Sequence, residues 1–236
     1  MRVLVVRPEA DARRTAARLA ARGHEAVLAP VLRIAATGEP APKGGFDAVA
    51  LTSANAVPAL ASLRDRIGGA ALFAVGRRTA DAMDEAGLPA SHVAQGEGRS
   101  LADLVAATLP PGSTVLHVAG RDRKTEPAAS LEERGIAVVV WTAYAALAVP
   151  ELPQAARLAL EQRTVEAALQ YSRRTAETLM ALAAPAGCFV PLLSLRHACL
   201  SDDTAAPLRS AGARGLIVAA RPDEDSLLQA LDSWAG

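Results

Sequence analysis

A set of short polar runs holds the residues of this chain that could do chemistry: Arg7, Thr52-Ser53-Ala54-Asn55, Gly76-Arg77-Arg78-Thr79, Gly120-Arg121-Asp122-Arg123, Ser172-Arg173-Arg174, Ser201 to Thr204, and Arg221. Each follows an apolar run that reads as a strand, and most lead into a helical pattern. Hydroxyls, glycines and arginines placed there suit anions. A helix N-terminus offers unpaired backbone N–H groups, glycine lets the backbone come close, and a guanidinium forks onto carboxylates. In parallel α/β sheets the ligand lies beyond the carboxyl ends of the strands. A simpler role competes for Ser53, Thr79, Ser172 and Thr204, because helix N-capping alone explains a Ser or Thr at such a place. One side chain can serve both.

Other chemistries lack their residues. Gly96-Glu97-Gly98 starts like a dinucleotide loop but has no third glycine and does not open the first strand-helix-strand unit. There is no P-loop. Asp202-Asp203 has no companion carboxylate or histidine cluster, and suits a solvated helix N-terminus favoured by the dipole. His24, His92, His117 and His197 are scattered, without ligand spacing or a nucleophile elbow. Cys188 and Cys199 form no CxxC and sit in apolar surroundings, which suits buried reduced thiols. The expectation is a site without metal or cofactor.

The elements that position these runs repeat. Strand-ending Ser53 precedes Leu60 by seven residues, as Ser172 precedes Leu179, and Gly76, Thr79 and Gly87 keep the mutual spacing of Ser201, Thr204 and Gly212. Before each of these segments lies another repeated one, in which Leu4, Leu19 and Gly23 answer to Leu116, Leu131 and Gly135. The chain therefore reads A, B, A′, B′, with A a strand-helix-strand unit, and the class is α/β. Unit B supplies strands near Ala48 to Leu51, Ala71 to Val75 and His92 to Ala94. Unit B′ supplies strands near Val165 to Gln170, Val190 to Ser194 and Leu216 to Ala219, then a last helix from Asp223 to Trp234. Unit A′ ends near Trp141.

Connection lengths decide the pairing of the units. Leu109 to Ser113 is a tight loop of the length found inside a domain, whereas Pro30 to Gly45 reads as a linker and the pattern lapses again after Trp141. B with A′ then makes one domain, 46–141, inserted into a discontinuous one made of 1–34 and 147–236.

Composition sets outer bounds. The chain has 236 residues, of which 51% are hydrophobic and only 3% aromatic, so the core must be built from Ala, Leu and Val. Net charge is zero, which argues against a general nucleic-acid surface. Lys43 and Lys124 are the only lysines, so the positive charge is nearly all arginine, a bias that a GC-rich genome would also produce. No membrane span is evident and the first residues read directly as a strand, so a cytoplasmic protein is expected.

The order of the motifs resembles the uroporphyrinogen-III synthase family of tetrapyrrole biosynthesis over nearly the whole chain. The matching residues are a first strand running into Arg7-Pro8, an aspartate-hydrophobic strand from Asp47 to Ser53, and the Val75 to Ala80 turn. Gly120-Arg121 and the lone Tyr144 after the next strand follow. The resemblance implies two similar parallel-sheet domains of flavodoxin or Rossmann type, one inserted in the other, joined by a two-strand connection with a cleft between them. It implies a cofactor-independent, monomeric lyase that removes water from hydroxymethylbilane, a linear tetrapyrrole polyanion supplied by hydroxymethylbilane synthase, and closes the macrocycle with the last ring inverted. Tyr144 would be the proton donor, since an ordinary phenol, with a pKa of about 10, is protonated at neutral pH. Without the resemblance Tyr144 reads as an aromatic plug in a connection. Arg7, Thr52, Ser53, Asn55, Gly76, Thr79, Gly120, Arg121, Ser172, Arg173 and Thr204 would hold the substrate, with the Thr79 hydroxyl facing the cleft. The chain departs from the pattern in B′, where Tyr171-Ser172 replaces Thr-Ser and Ser201 replaces the glycine, and at Asn55, where some members carry arginine. A different class stays open, a tetrapyrrole- or anion-binding and sensing module that keeps the fold without turnover.

Overall fold

The computed structural model describes residues 1–234. The chain divides into two compact units, Met1–Arg33 with Leu147–Gly236, and Ile34–Ala146. The first unit opens with β1 (Arg2–Val5), α1 (Glu9–Ala20) and β2 (Glu25–Leu28), and the chain leaves it along β3 (Leu32–Ala36). The second contains β4 (Ala48–Leu51), a single 3-10 turn at Ala54–Ala56, α2 (Val57–Ala61), β5 (Ala71–Val75), α3 (Gly76–Glu85), β6 (His92–Ala94), α4 (Gly98–Thr108), β7 (Thr114–Gly120) and α5 (Ala128–Glu132). The long β8 (Ala137–Ala148) leads back into the first unit, which ends with α6 (Gln154–Glu161), β9 (Ala167–Gln170), α7 (Arg173–Ala183), α8 (Phe189–Leu193), β10 (Arg196–Cys199), α9 (Asp202–Ser210), β11 (Gly215–Val218) and α10 (Glu224–Asp232).

Each unit holds one sheet. The first has the order β2-β1-β9-β10-β11 and the second β8-β7-β4-β5-β6, with β3 added outside β8. All pairs of the first sheet, and the second from β8 to β6, are parallel. Read through the repeats, the orders are the same: second A strand, first A strand, then the three B strands. Chain order differs, since A precedes B′ in the first unit and B precedes A′ in the second. The first unit in its own numbering is 2-1-3-4-5, the flavodoxin-like order, whose ligand crevice opens where the order reverses. β3 runs against β8: Thr37 N–H donates to the Ala143 carbonyl at 3.1 Å and Val149 N–H to that of Val31 at 3.0 Å, so residue numbers rise on one side as they fall on the other.

The sheets are buried on both faces, which suits their unbroken apolar strands. Alternation sorts the side chains: Val49 and Leu51 join Leu60, Met83 and Leu116 in one layer, while Ala48 and Ala50 join Phe73, Leu101 and Val115 in the other. In the first unit Val3, Val5 and Leu169 pack on Leu19, Leu227 and Leu231. Cys188 and Cys199 are buried and unpaired. Among the described residues no helix is long and apolar enough to cross a membrane.

Three expectations about elements are corrected. Of the stretch Val190 to Ser194, all but its last residue lies in helix α8, Ser194 is that helix's C-cap, and the next strand is β10, beginning at Arg196. A five-residue apolar run fits a buried strand or a buried turn of helix equally, and Pro191 is tolerated in a first turn. The Pro30 to Gly45 stretch contains β3, stabilised by pairing with β8 rather than by its own propensity. β8 continues past Trp141 to Ala148, because Trp141, Ala143 and Ala145 alternate inward at 8%, 4% and 3% exposure.

Candidate functional site

In the second unit the polar runs lie at the carboxyl ends of β4, β5 and β7, and Tyr144 lies within β8. Tyr144 is the most constrained. It stands opposite Gly120 in the β7–β8 register, next to an irregularity between Ala119 and Gly120, and its carbonyl accepts the Arg121 backbone N–H at 2.9 Å. Its ring packs closely against Gly120. A Cβ there would sit 2.8 Å from Tyr144 Cε2 and 3.1 Å from its hydroxyl oxygen, so no residue but glycine lets the phenol keep its place. Tyr144, Asn55, Ser62 and Trp141 line a recess of about 390 Å³ with Pro58 and Glu39. The Trp141 indole fixes one wall by donating to the Glu39 carbonyl at 3.1 Å.

The end of β4 is organised locally. Ser53 Oγ accepts the Asn55 N–H at 3.2 Å, which caps the 3-10 turn, and Thr52 Oγ1 lies 3.4 Å from His117 Nε2 on β7. At the end of β5, Gly76 takes φ +71, a left-handed value that lets the strand turn straight into α3, and no side chain caps that helix. Thr79 is its fourth residue and only 4% exposed. Thr79 is therefore not an N-cap.

The first unit uses the same ends differently. Ser172 caps α7 by accepting the Thr175 N–H at 3.2 Å, and Ser201 caps α9 through the Thr204 N–H at 3.3 Å. Thr204 is 2% exposed and is the capped residue, not the cap. The Gly-x-x-Thr of α3 and the Ser-x-x-Thr of α7 and α9 are thus one motif in which serine supplies an acceptor and glycine leaves the helix end uncapped. Arg173 pairs with Asp203 at 2.8 Å and Glu177 at 3.7 Å.

Arg7 is held by the protein itself. It donates to Glu224 Oε1 at 3.0 Å and Thr15 Oγ1 at 3.2 Å, and stacks 3.9 Å above the Tyr171 ring. The Tyr171 hydroxyl donates to the same carboxylate at 2.5 Å, and Arg18 to its other oxygen at 2.8 Å. Burial, then the Glu224 bond, push the Tyr171 hydroxyl above the usual phenol range. Burial alone would raise Glu224, but the bonds from Tyr171, Thr15 and Arg18 and the Arg7 charge hold its carboxyl below its ordinary value. An internal carboxylate thus occupies the crevice between β1 and β9.

At β7 sequence reading marked the Gly120 to Arg123 run and Arg121, but missed the histidine that lies beside them. His117, Arg121, Arg123, Lys124, Thr125 and Val140 line a separate recess of about 450 Å³. His117 is 1% exposed, and burial, helped by the Arg123 charge, pushes its imidazole down to about 4. The available signal was the repeat register: Val5 occupies the corresponding place in the first repeat.

Two mostly parallel sheets that share one spatial order of repeated strands, with hydroxyls, arginines and glycines beyond their strand ends, define a two-unit α/β protein. The profile of the uroporphyrinogen-III synthase family (HEM4, HemD) matches residues 13–229. The chain belongs to the uroporphyrinogen-III synthase family. Similar solved structures include the uroporphyrinogen-III synthetase of Helicobacter pylori, at 14% identity and TM-score 0.61 over 99% of this chain and 100% of that one. A mutant uroporphyrinogen III synthase of the extremely thermophilic bacterium Thermus thermophilus shares 22% identity at TM-score 0.50, over 99% and 98% of the two chains. At these identities the likeness speaks for the fold. None of the curated proteins compared with the chain matches it.

Proposed function

We propose that the chain closes hydroxymethylbilane to uroporphyrinogen III, as a cytoplasmic, cyclising hydro-lyase supplied by hydroxymethylbilane synthase. The pyrrole nitrogen of the first ring pushes out the hydroxyl, which takes a proton from the Tyr144 phenol and leaves as water. The substituted carbon of the last ring attacks the resulting cation to give a spiro centre, whose rearrangement inverts that ring. The proton lost as the pyrrole regains aromaticity returns to the phenolate. The substrate supplies the electrons, so the protein's work is to orient a flexible polyanion and place one donor. The uncapped end of α3 at Gly76, with Thr52, Ser53 and Asn55 just beyond β4, suits the acetate and propionate arms. Ser172 and Arg173 are the corresponding groups of the other sheet.

The observation that supports this reading best is the phenol of Tyr144 lying across Gly120 at the edge of a recess. The test is turnover of enzymatically generated hydroxymethylbilane by wild type and Tyr144→Phe. Loss of one general acid should lower kcat by about 10² to 10³ at most. Full activity in the variant would remove Tyr144 from the chemistry.

A further inference from the structure

The recess at the end of β7 shares no lining residue with the Tyr144 recess, and one of the side chains that line it, His117, holds a buried polar atom with no partner among the described residues. His117 is all but fully buried and its Nδ1 has no hydrogen-bond partner among the described residues, while Nε2 lies 3.4 Å from Thr52 Oγ1. If the Thr52 hydroxyl donates to Nε2, the neutral ring carries its hydrogen on Nδ1, a buried donor without an acceptor. Native proteins seldom leave such a group unpaired. His197, the buried histidine of the other sheet, has partners for both nitrogens: Gln170 at 3.3 Å and the Leu192 carbonyl at 3.0 Å. Packing does not require a histidine here either, because the twin position in the first repeat is Val5, fully buried in the same place on its sheet.

The walls are cationic. Arg121 is exposed; its backbone N–H donates to the Tyr144 carbonyl, and its guanidinium has no carboxylate partner among the described residues. Among the described residues Arg123 donates to neutral acceptors, the Gly120 carbonyl and Thr142 Oγ1, each at 3.3 Å. Lys124 pairs with Glu97 at 3.1 Å, the one carboxylate among the described residues that meets these three cations. Thr52 follows β4, Arg121 follows β7, and β4 beside β7 is where this sheet reverses its strand order. That is where α/β sheets bind ligands. In the other sheet the corresponding crevice is filled by Glu224 against Arg7 and Arg18, so one twin supplies its own carboxylate and the other does not.

We infer that this recess is an oxyanion site: a carboxylate or phosphate oxygen accepts the buried Nδ1–H of His117, while Arg121 and Arg123 hold the charge. A carboxylate arm of the tetrapyrrole is the carrier that the proposed function would bring, and this second step alone rests on that reading.

The test uses the full chain with ¹⁵N-labelled histidine, titrated separately with propane-1,2,3-tricarboxylate and inorganic phosphate at constant ionic strength, against sodium chloride as control. One or both anions should move the His117 Nδ1 resonance to saturation. Arg121→Gln should weaken that binding at least fivefold, and His117→Val, the residue the twin sheet carries, should abolish the effect of the anion on neighbouring amide resonances. Responses no larger than those to chloride, or an affinity unchanged in Arg121→Gln, would overturn the site. The source is settled separately by kinetics: for a substrate arm, Arg121→Gln raises KM for hydroxymethylbilane more than it lowers kcat. An unchanged KM would overturn the substrate-arm step while saturation by phosphate keeps the site. Absence of synthase activity would defeat the proposed function without touching the titrations.

Discussion

Replacing Gly120 with alanine should disable Tyr144 without altering it. Gly120 does not use left-handed backbone, so alanine introduces no strain of its own, and the perturbation reduces to one methyl group. That methyl would stand 2.8 Å from Cε2 and 2.9 Å from Cζ of Tyr144, where ordinary contacts begin at 3.4 Å, so the ring must retreat by about 0.6 Å or swing away. Crowding of this kind costs about 1 to 3 kcal/mol, of which the stiffer unfolded chain returns about 0.4 to 1 kcal/mol. The expected loss of about 1 to 2 kcal/mol lowers the thermal midpoint by a few degrees in a chain of this length, at about 2 to 4 °C per kcal/mol. Misplacing a catalytic group by about 1 Å costs about 10²-fold, so a shift of half that size should lower kcat by about 10- to 100-fold. The decisive assay is the cycle with Tyr144→Phe. If Gly120 acts through the phenol, Gly120→Ala/Tyr144→Phe is no slower than Tyr144→Phe, since the donor is already gone. Multiplying losses would refute the link, and an unimpaired Gly120→Ala would refute the placement of the ring.

Three further outcomes follow from the geometry. Burial holds His117 neutral down to about 4 against an ordinary 6.5, so between those values the unfolded chain takes up a proton that the folded chain refuses. Stability is then full above pH 6.5 and falls as pH drops towards 4, by as much as about 3 kcal/mol from this residue; denaturant midpoints of His117→Val should fall about half as steeply, because His197 shows the same depression to about 4. Arg7→Gln should register in thermal stability, losing about 1.5 to 3 kcal/mol with the bond to Glu224, whereas a normal midpoint with a KM raised tenfold would return Arg7 to the substrate. Residues 34–146 expressed alone should fold with a dispersed amide spectrum and residues 1–112 should not, since the second fragment carries part of each sheet; cooperative unfolding of 1–112 would contradict the pairing of the units.

The architecture was legible because burial on both sides of a parallel sheet leaves unbroken apolar runs, and because each repeat carries its turn glycine and hydroxyl at the same spacing. What misled was ambiguity that only tertiary contacts resolve. Val190 to Ser194 has no periodicity to tell strand from helix, and β3 is a strand only because β8 lies beside it. At the site, Ser172 caps its helix as the sequence suggests, yet Thr79 and Thr204 sit one turn inside, since the motif's first residue does the capping and its fourth is buried beneath it. Arg7 looks like an anion ligand in the sequence, and its acceptor is Glu224, more than 200 residues away along the chain. His117 gave no local signal because its partner, Thr52, lies on the neighbouring strand's end; only comparison with Val5 marks it as a polar residue in an apolar place.

The most direct measurement is the isomer ratio of the macrocycle formed from hydroxymethylbilane, by wild type and by Tyr144→Phe, after oxidation and chromatography. Catalysis that rests on holding the bilane in shape predicts type III product from wild type, and type III product formed more slowly by the variant. Binding of the bilane with only the spontaneous type I isomer released by wild type would contradict the account and leave a binding protein of this fold.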